Sequence, residues 1–221
     1  MRPYSIQYGC MATATPIADL TAHARIRNAA LSGFARQGVT ATSVREVARS
    51  AGVSPGLVQH HFPSKEALRA AVDDHVVEVA RAAFSDLPEP DSLAESLEEL
   101  GVRVGRFVAD QPDALLYVAR AAADGDEAAL RGFDAFVAIA ESQWRGLIER
   151  GLVSSDIDLP WAALHVTLIN LGSVLFAEAV NRHLPASFDA PDQLARWRRA
   201  TTSLFEHGLA EPRGQPGQGS A

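Results

Sequence analysis

Between Thr42 and Lys65 the chain carries hydrogen-bonding side chains suited to phosphates and base edges rather than to bond breaking. The Gln59 amide sets a donor beside an acceptor, the arrangement that pairs bidentately with adenine, and His60 adds a second polar ring next to it. Pro55 and Gly56 have no hydrogen-bonding side chains, so they would admit close backbone approach and apolar contact with a thymine methyl. Thr42, Ser43, Arg45, Ser54 and Lys65 suit phosphate oxygens, which position a protein on a duplex without specifying sequence.

Other chemistries find little support. His60 and His61 are adjacent, and neighbouring helical residues point in different directions, so the pair does not converge on one metal ion. His23, His75, His165, His183 and His207 are scattered, with no HExxH pattern and no cysteine partners. The lone Cys10 permits neither an internal disulfide nor a cysteine metal cluster, which favours a reducing compartment. A nucleophile elbow, a P-loop and a dinucleotide fingerprint are all missing. The expectation is a protein that is not an enzyme, with no metal and no cofactor.

Local signals say how the polar residues would be positioned. Val44, Val47 and Ala48 recur at helical spacing, and Ser43 with Glu46 reads as a capping box opening that helix. Gly52 stands where a left-handed residue would turn the chain, and Ser54-Pro55 restarts a helix as N-cap and first helical residue. Phe62-Pro63 ends the second helix, because the residue before proline avoids the α region. The result is a helix-turn-helix over Arg45 to Phe62. Seven residues at ~1.5 Å rise make the second helix about 10 Å long, which fits a major groove ~12 Å wide. Leu57, Val58, His61 and Phe62 would lean inward, leaving Pro55, Gly56, Gln59 and His60 as the reading face.

Charge distribution points the same way. The 221-residue chain has a net charge of −7, yet Thr21 to Lys65 holds six basic residues against Glu46 alone, a local +5. Everything from Glu66 onward sums to −12. A basic head on an acidic body suits a nucleic-acid-binding module joined to a domain with another task. At 47% apolar and 21% charged, the composition is that of an ordinary globular protein.

Around this motif the pattern is helical throughout, with no strand or hairpin signal and no internal repeat. Ala22 to Gly38 forms an amphipathic helix before the motif, and a further helix runs from Ser64 to about Phe84. Leu87 to Pro90 is a linker, and Ser92 with Glu95 forms a second capping box for a helix to about Ala109. Further helices are expected from Gln111 to near Gly125, Asp126 to Arg150, Leu159 to about His183, and Pro191 to about Gly208. Residues 1–20 read as a disordered extension, in which Met11 is a second possible start, and 210–221 as a disordered tail. No signal peptide is read in the first twenty residues.

Leu159 to Ala177 is nearly free of charge and approaches the ~20 residues of a membrane span. Pro160, His165, Thr167, Asn170, Gly172 and Ser173 make it too weakly apolar, and a basic cytoplasmic flank is missing. A helix apolar all round is otherwise buried, here against a partner subunit as well as the core.

RIRNAALSGFARQG followed by TATSVREVARSAGVSPGLVQHHFPSKEAL resembles the N-terminal DNA-binding domain of the TetR family of bacterial transcriptional repressors. The resemblance covers about Ala22 to Leu68; beyond it only the general layout of further helices is shared. It implies an all-α chain of about nine helices, with a three-helix DNA-binding domain at 21–65 and a helical ligand-binding and dimerisation domain at 66–209. It also implies a cytoplasmic homodimer paired through its last two long helices, with no membrane role. Such a dimer would be released from a palindromic double-stranded DNA operator by an unidentified small-molecule effector. Many relatives carry tyrosine where Gln59 stands, so their operator contacts do not transfer to it. Aromatic and polar residues of the body offer a pocket lining of Phe107, Tyr117, Phe133, Phe136, Trp144 and His165, with Arg120 and Asn170 as polar contacts. The competing reading is an α-helical small-molecule-binding or catalytic protein without a DNA role.

Overall fold

The computed structural model describes residues 21–125 and 127–208. The expected N-terminal extension and C-terminal tail lie outside these residues. Ten helices and no strand are found among the described residues. The head is formed by α1 (Ala22–Gln37), α2 (Val44–Ala51) and α3 (Pro55–His61), and α4 (Lys65–Ala83) leads out of it. The body contains α5 (Leu93–Asp110), α6 (Pro112–Ala123), α7 (Glu127–Glu149), α8 (Leu159–Leu175), α9 (Ala177–Asn181) and α10 (Pro191–Gly208). α1 packs on α2, α4 and α6, α7 lies against α4, α6 and α8, and α5 lies against α10.

Helix boundaries follow the local signals closely. Ser43, Ser54, Ser64, Ser92 and Asp158 each accept a hydrogen bond from a backbone N–H in the first turn of the helix they open. Gly52 and Gly151, at φ +66° and +72°, close α2 and α7. In both, the following residue donates back to a carbonyl five residues earlier, Val53 to Ala48 at 2.9 Å and Leu152 to Leu147 at 3.0 Å, the Schellman arrangement.

Two sequence expectations change. The single helix expected from Leu159 to His183 breaks at Phe176, whose backbone (φ −101°, ψ 19°) leaves helical geometry and separates α8 from α9. This makes ten helices rather than about nine, and no glycine or proline at the break announces it. At α5, Ser92 Oγ accepts from Glu95 N at 3.3 Å, but among the described residues no return bond from Glu95 completes the box.

One hydrophobic core runs through head and body. Ile26, Phe34, Val47, Val58, Leu68, Val72 and Val76 join Leu115, Val118 and Leu171 in a continuous cluster. A second cluster, with Trp144, Leu147 and Phe205, fills the far end of the body. Because the first cluster has no gap at α4, displacement of that helix is felt on both sides of it.

Candidate nucleic-acid interface and body cavity

α2 is locked at its start by a complete capping box. Ser43 N donates to Glu46 Oε2 at 2.8 Å, and Glu46 N donates to Ser43 Oγ at 3.2 Å. These bonds to Ser43 hold the Glu46 carboxyl below its ordinary pKa. The turn at Gly52 then sets the direction of α3, with Val58 and Phe62 buried beneath it and Leu57 and His61 half-buried. His23 of α1 packs on Phe62, ring centroids 4.5 Å apart, and braces the exit of α3.

Pro55, Gly56, Gln59 and His60 all lie exposed on the opposite face. A Cβ on Gly56 would meet nothing nearer than Ser54 Oγ at 4.0 Å, so packing within the head does not require a glycine there. Its small size instead leaves the start of α3 bare. Arg45 is exposed and makes no hydrogen bond or ion pair among the described residues. Lys65 Nζ donates to Thr40 O at 3.1 Å, which holds the ammonium beside the entry to α2. The Ser43 and Ser54 oxygens accept backbone N–H bonds, and each hydroxyl proton stays free to donate outward.

Thr42 behaves differently from expectation. It is only 3% exposed, its hydroxyl donates to Gly38 O at 2.9 Å, and its methyl fills the space beside Gly33. Thr42 therefore secures the corner between α1 and α2, and its hydroxyl is not available to a phosphate.

The body holds a cavity of about 120 Å³ between α5, α7, α8 and α10, lined also by Leu115 of α6 and by Phe84 at the end of α4. Of the eight residues expected to line a pocket, the structure brings four together there: Phe107, Phe136, Trp144 and Asn170. Phe107 and Phe136 meet edge-on with centroids 5.7 Å apart.

The other four lie elsewhere for clear reasons. Tyr117 turns toward α4, where its O–H donates to the buried Asp73 Oδ1 at 2.5 Å. Burial and Asp73 push the Tyr117 phenol well above its ordinary pKa. Arg120 Nη1 donates to Arg36 O at 2.9 Å and so caps the end of α1. Phe133 packs on the first core cluster, away from the cavity, and His165 lies exposed against Trp161. Sequence reasoning passed over Thr167 and Arg198, both in the cavity wall. The signal for Thr167 is an uncharged polar residue one turn before Asn170 on the same helix; Arg198 has none, because its helix reads as an ordinary charged surface.

Among the described residues no cluster of histidine, cysteine and carboxylate side chains could hold a metal, and no helix is long and apolar enough to cross a membrane.

Residues 26–72 match the family described as bacterial regulatory proteins, tetR family. The chain is 56% identical over 66 residues to the HTH-type transcriptional regulatory protein RaaS of Mycobacterium tuberculosis, a match spanning 30% of this chain and 31% of that protein's length. With the HTH-type transcriptional regulator CymR of Pseudomonas putida it shares 31% identity over 144 residues, 60% of this chain and 69% of CymR. The fold is shared with the fatty acid degradation regulator FadR of Bacillus halodurans, at TM-score 0.67 and 15% identity over 86% of this chain and 97% of FadR.

Proposed function

This chain belongs to the TetR family of bacterial transcriptional regulators, and on that premise we propose that it represses transcription in the cytoplasm as a homodimer on a palindromic operator. A small molecule entering the body cavity would release it. The observation that carries the DNA role is the exposed face of Pro55, Gly56, Gln59 and His60, with Arg45 beside it on a head of local charge +5. Gln59 would read adenine, and Ser43, Arg45, Ser54 and Lys65 would hold phosphates. The domain division, with reading at 21–65 and sensing and dimerisation at 66–209, forms part of the same proposal.

Dimerisation through α8 and α10 is supported by apolar side chains left open to solvent. On α8 and just past its end, Trp161, Leu168 and Phe176 are 54%, 50% and 61% exposed, and Leu204 of α10 is 58% exposed. Trp161, His165, Leu168, Gly172 and Phe176 recur every three or four residues, a single stripe along one side of α8. Exposed surface of this kind marks a contact with another chain. A dimer would set its two α3 helices against half-sites about one helical turn, ~34–36 Å, apart. Ligand binding in the body would change that spacing through α4. A coupling of ~1–3 kcal/mol corresponds to a roughly 5- to 150-fold change in operator affinity.

The test is selection of genomic fragments bound by the full chain at moderate salt. A palindrome with half-sites one helical turn apart is expected, and no enriched sequence would overturn the DNA role. Light scattering at micromolar concentration should show a dimer and Leu168→Glu a monomer; a monomeric parent would refute the pairing.

A further inference from the structure

The cavity wall is mostly aromatic and aliphatic, with Phe107, Phe136, Trp144, Leu171, Trp197 and Phe205 among its residues. Its volume of about 120 Å³ is of the order of the ~150 Å³ apolar cavity that accepts benzene in another protein. One ring with a small substituent is the scale of molecule it takes.

Three buried polar atoms on residues of this wall have no hydrogen-bond partner among the described residues: Thr167 Oγ1, Asn170 Oδ1 and Arg198 Nε. Asn170 decides what they call for. Its Nδ2 donates to Val166 O at 2.6 Å, one turn back in α8. The reversed amide would bring two oxygens to that distance, so the unpaired atom is the oxygen, which can only accept. Thr167, only 3% exposed, precedes Asn170 by three residues, which places the two on one face of α8. Its hydroxyl can donate or accept.

We propose that the cavity binds a compact, uncharged ring carrying one hydroxyl group, of the phenol class, which donates to Asn170 and accepts from Thr167. This reading deepens the effector role proposed above and rests on it for the consequence at DNA, not for the binding itself. A hydroxyl answers both groups with one atom. An ether or ketone leaves Asn170 without a donor, and a carboxylate sets further acceptors and a charge against its oxygen. Among the described residues Arg198 is the one charged residue in the wall, and its guanidinium is already faced by Glu98, with Nη2 at 3.4 Å from the carboxylate. No anion is needed to balance it. A site built around such buried groups rejects analogues that leave them unpaired.

The experiment titrates the intact dimer with phenol, anisole, toluene and benzoate, following binding by calorimetry and by the fluorescence of Trp144 and Trp197 in the wall. Phenol should bind at least about tenfold more tightly than each of the other three. Asn170→Leu should reduce that preference to less than about threefold while toluene still binds. Thr167→Val, which keeps the side-chain shape, should reduce it part of the way. Ala140→Phe, which fills the cavity, should abolish binding of all four. Anisole or benzoate binding as well as phenol overturns the proposal, as does a phenol preference that survives Asn170→Leu and Thr167→Val, or phenol binding that survives Ala140→Phe. Operator affinity is read separately. Phenol that binds with the expected preference but leaves operator affinity unchanged supports the site and counts against the effector role. Release by toluene or benzoate with no hydroxyl preference overturns the site and leaves the effector role standing.

Discussion

Tyr117→Phe removes one oxygen from the centre of the molecule and nothing else. The ring stays, so its packing 6.3 Å from Phe34 is preserved, and the loss falls on the hydrogen bond to Asp73 at 2.5 Å and on the phenol's interaction with Arg69. Asp73 is only 6% exposed, so water does not readily replace the lost donor. A hydrogen bond to a charged group is worth ~1.5–3 kcal/mol, and a buried oxygen left short of a donor keeps its desolvation cost. Arg69 Nε, 3.9 Å from the other carboxylate oxygen, remains to share that charge. The expected destabilisation is therefore about 2 kcal/mol rather than the larger penalty of an abandoned charge. Urea denaturation followed by tryptophan fluorescence, at one fixed protein concentration because of the proposed pairing, measures it. Asp73→Asn and the double substitution complete a cycle whose coupling energy should exceed about 1 kcal/mol. A loss under about 0.5 kcal/mol, or two substitutions whose effects simply add, would refute the view that this bond ties α4 to α6.

Gly52→Ala should cost ~1–2 kcal/mol through backbone strain alone, since a Cβ there meets nothing within 4 Å while φ is +66°. Gly52→Asn should cost less, and equal losses for the two in the same urea titration would show that φ is not the cause. Gln59→Ala should remove ~1–3 kcal/mol of discrimination at one operator position in binding isotherms with single-base variants. Arg45→Gln should instead weaken all sequences alike and flatten the salt dependence. His75, half-buried on α4, has its pKa lowered below the ordinary 6.5, first by burial, then by Arg27 of α1, with Glu78 opposing. The unfolded chain then takes the proton first as pH falls, so His75 contributes stability above pH 6.5 that is lost as pH drops toward its folded value. Urea midpoints for the parent and His75→Gln should converge as pH falls below 6.5; parallel curves from pH 7.5 downward would exclude His75 as a source of acid sensitivity.

The head was legible from sequence because its determinants are short-range. A capping box spans three residues, a left-handed glycine acts within its own turn, and the two faces of α3 follow from helical period alone. Ser43, Gly52, Ser54 and the division between Val58 and Gln59 could therefore be read before any packing was known. What lay opposite each helix could not. Tyr117 and Phe136 are both aromatics on body helices, and only the placement of α4 sent one to Asp73 and left the other to the cavity. Thr42 has the chemistry of a phosphate ligand, but its hydroxyl is held by Gly38 O and its methyl by the space beside Gly33. His165 carried the chemistry of a pocket residue, but its side of α8 faces outward. The break at Phe176, the continuous core through α4, and the unpaired Thr167 and Asn170 all belong to the tertiary structure. Each depends on partners far away in sequence, and periodicity records that a face is apolar without recording what covers it.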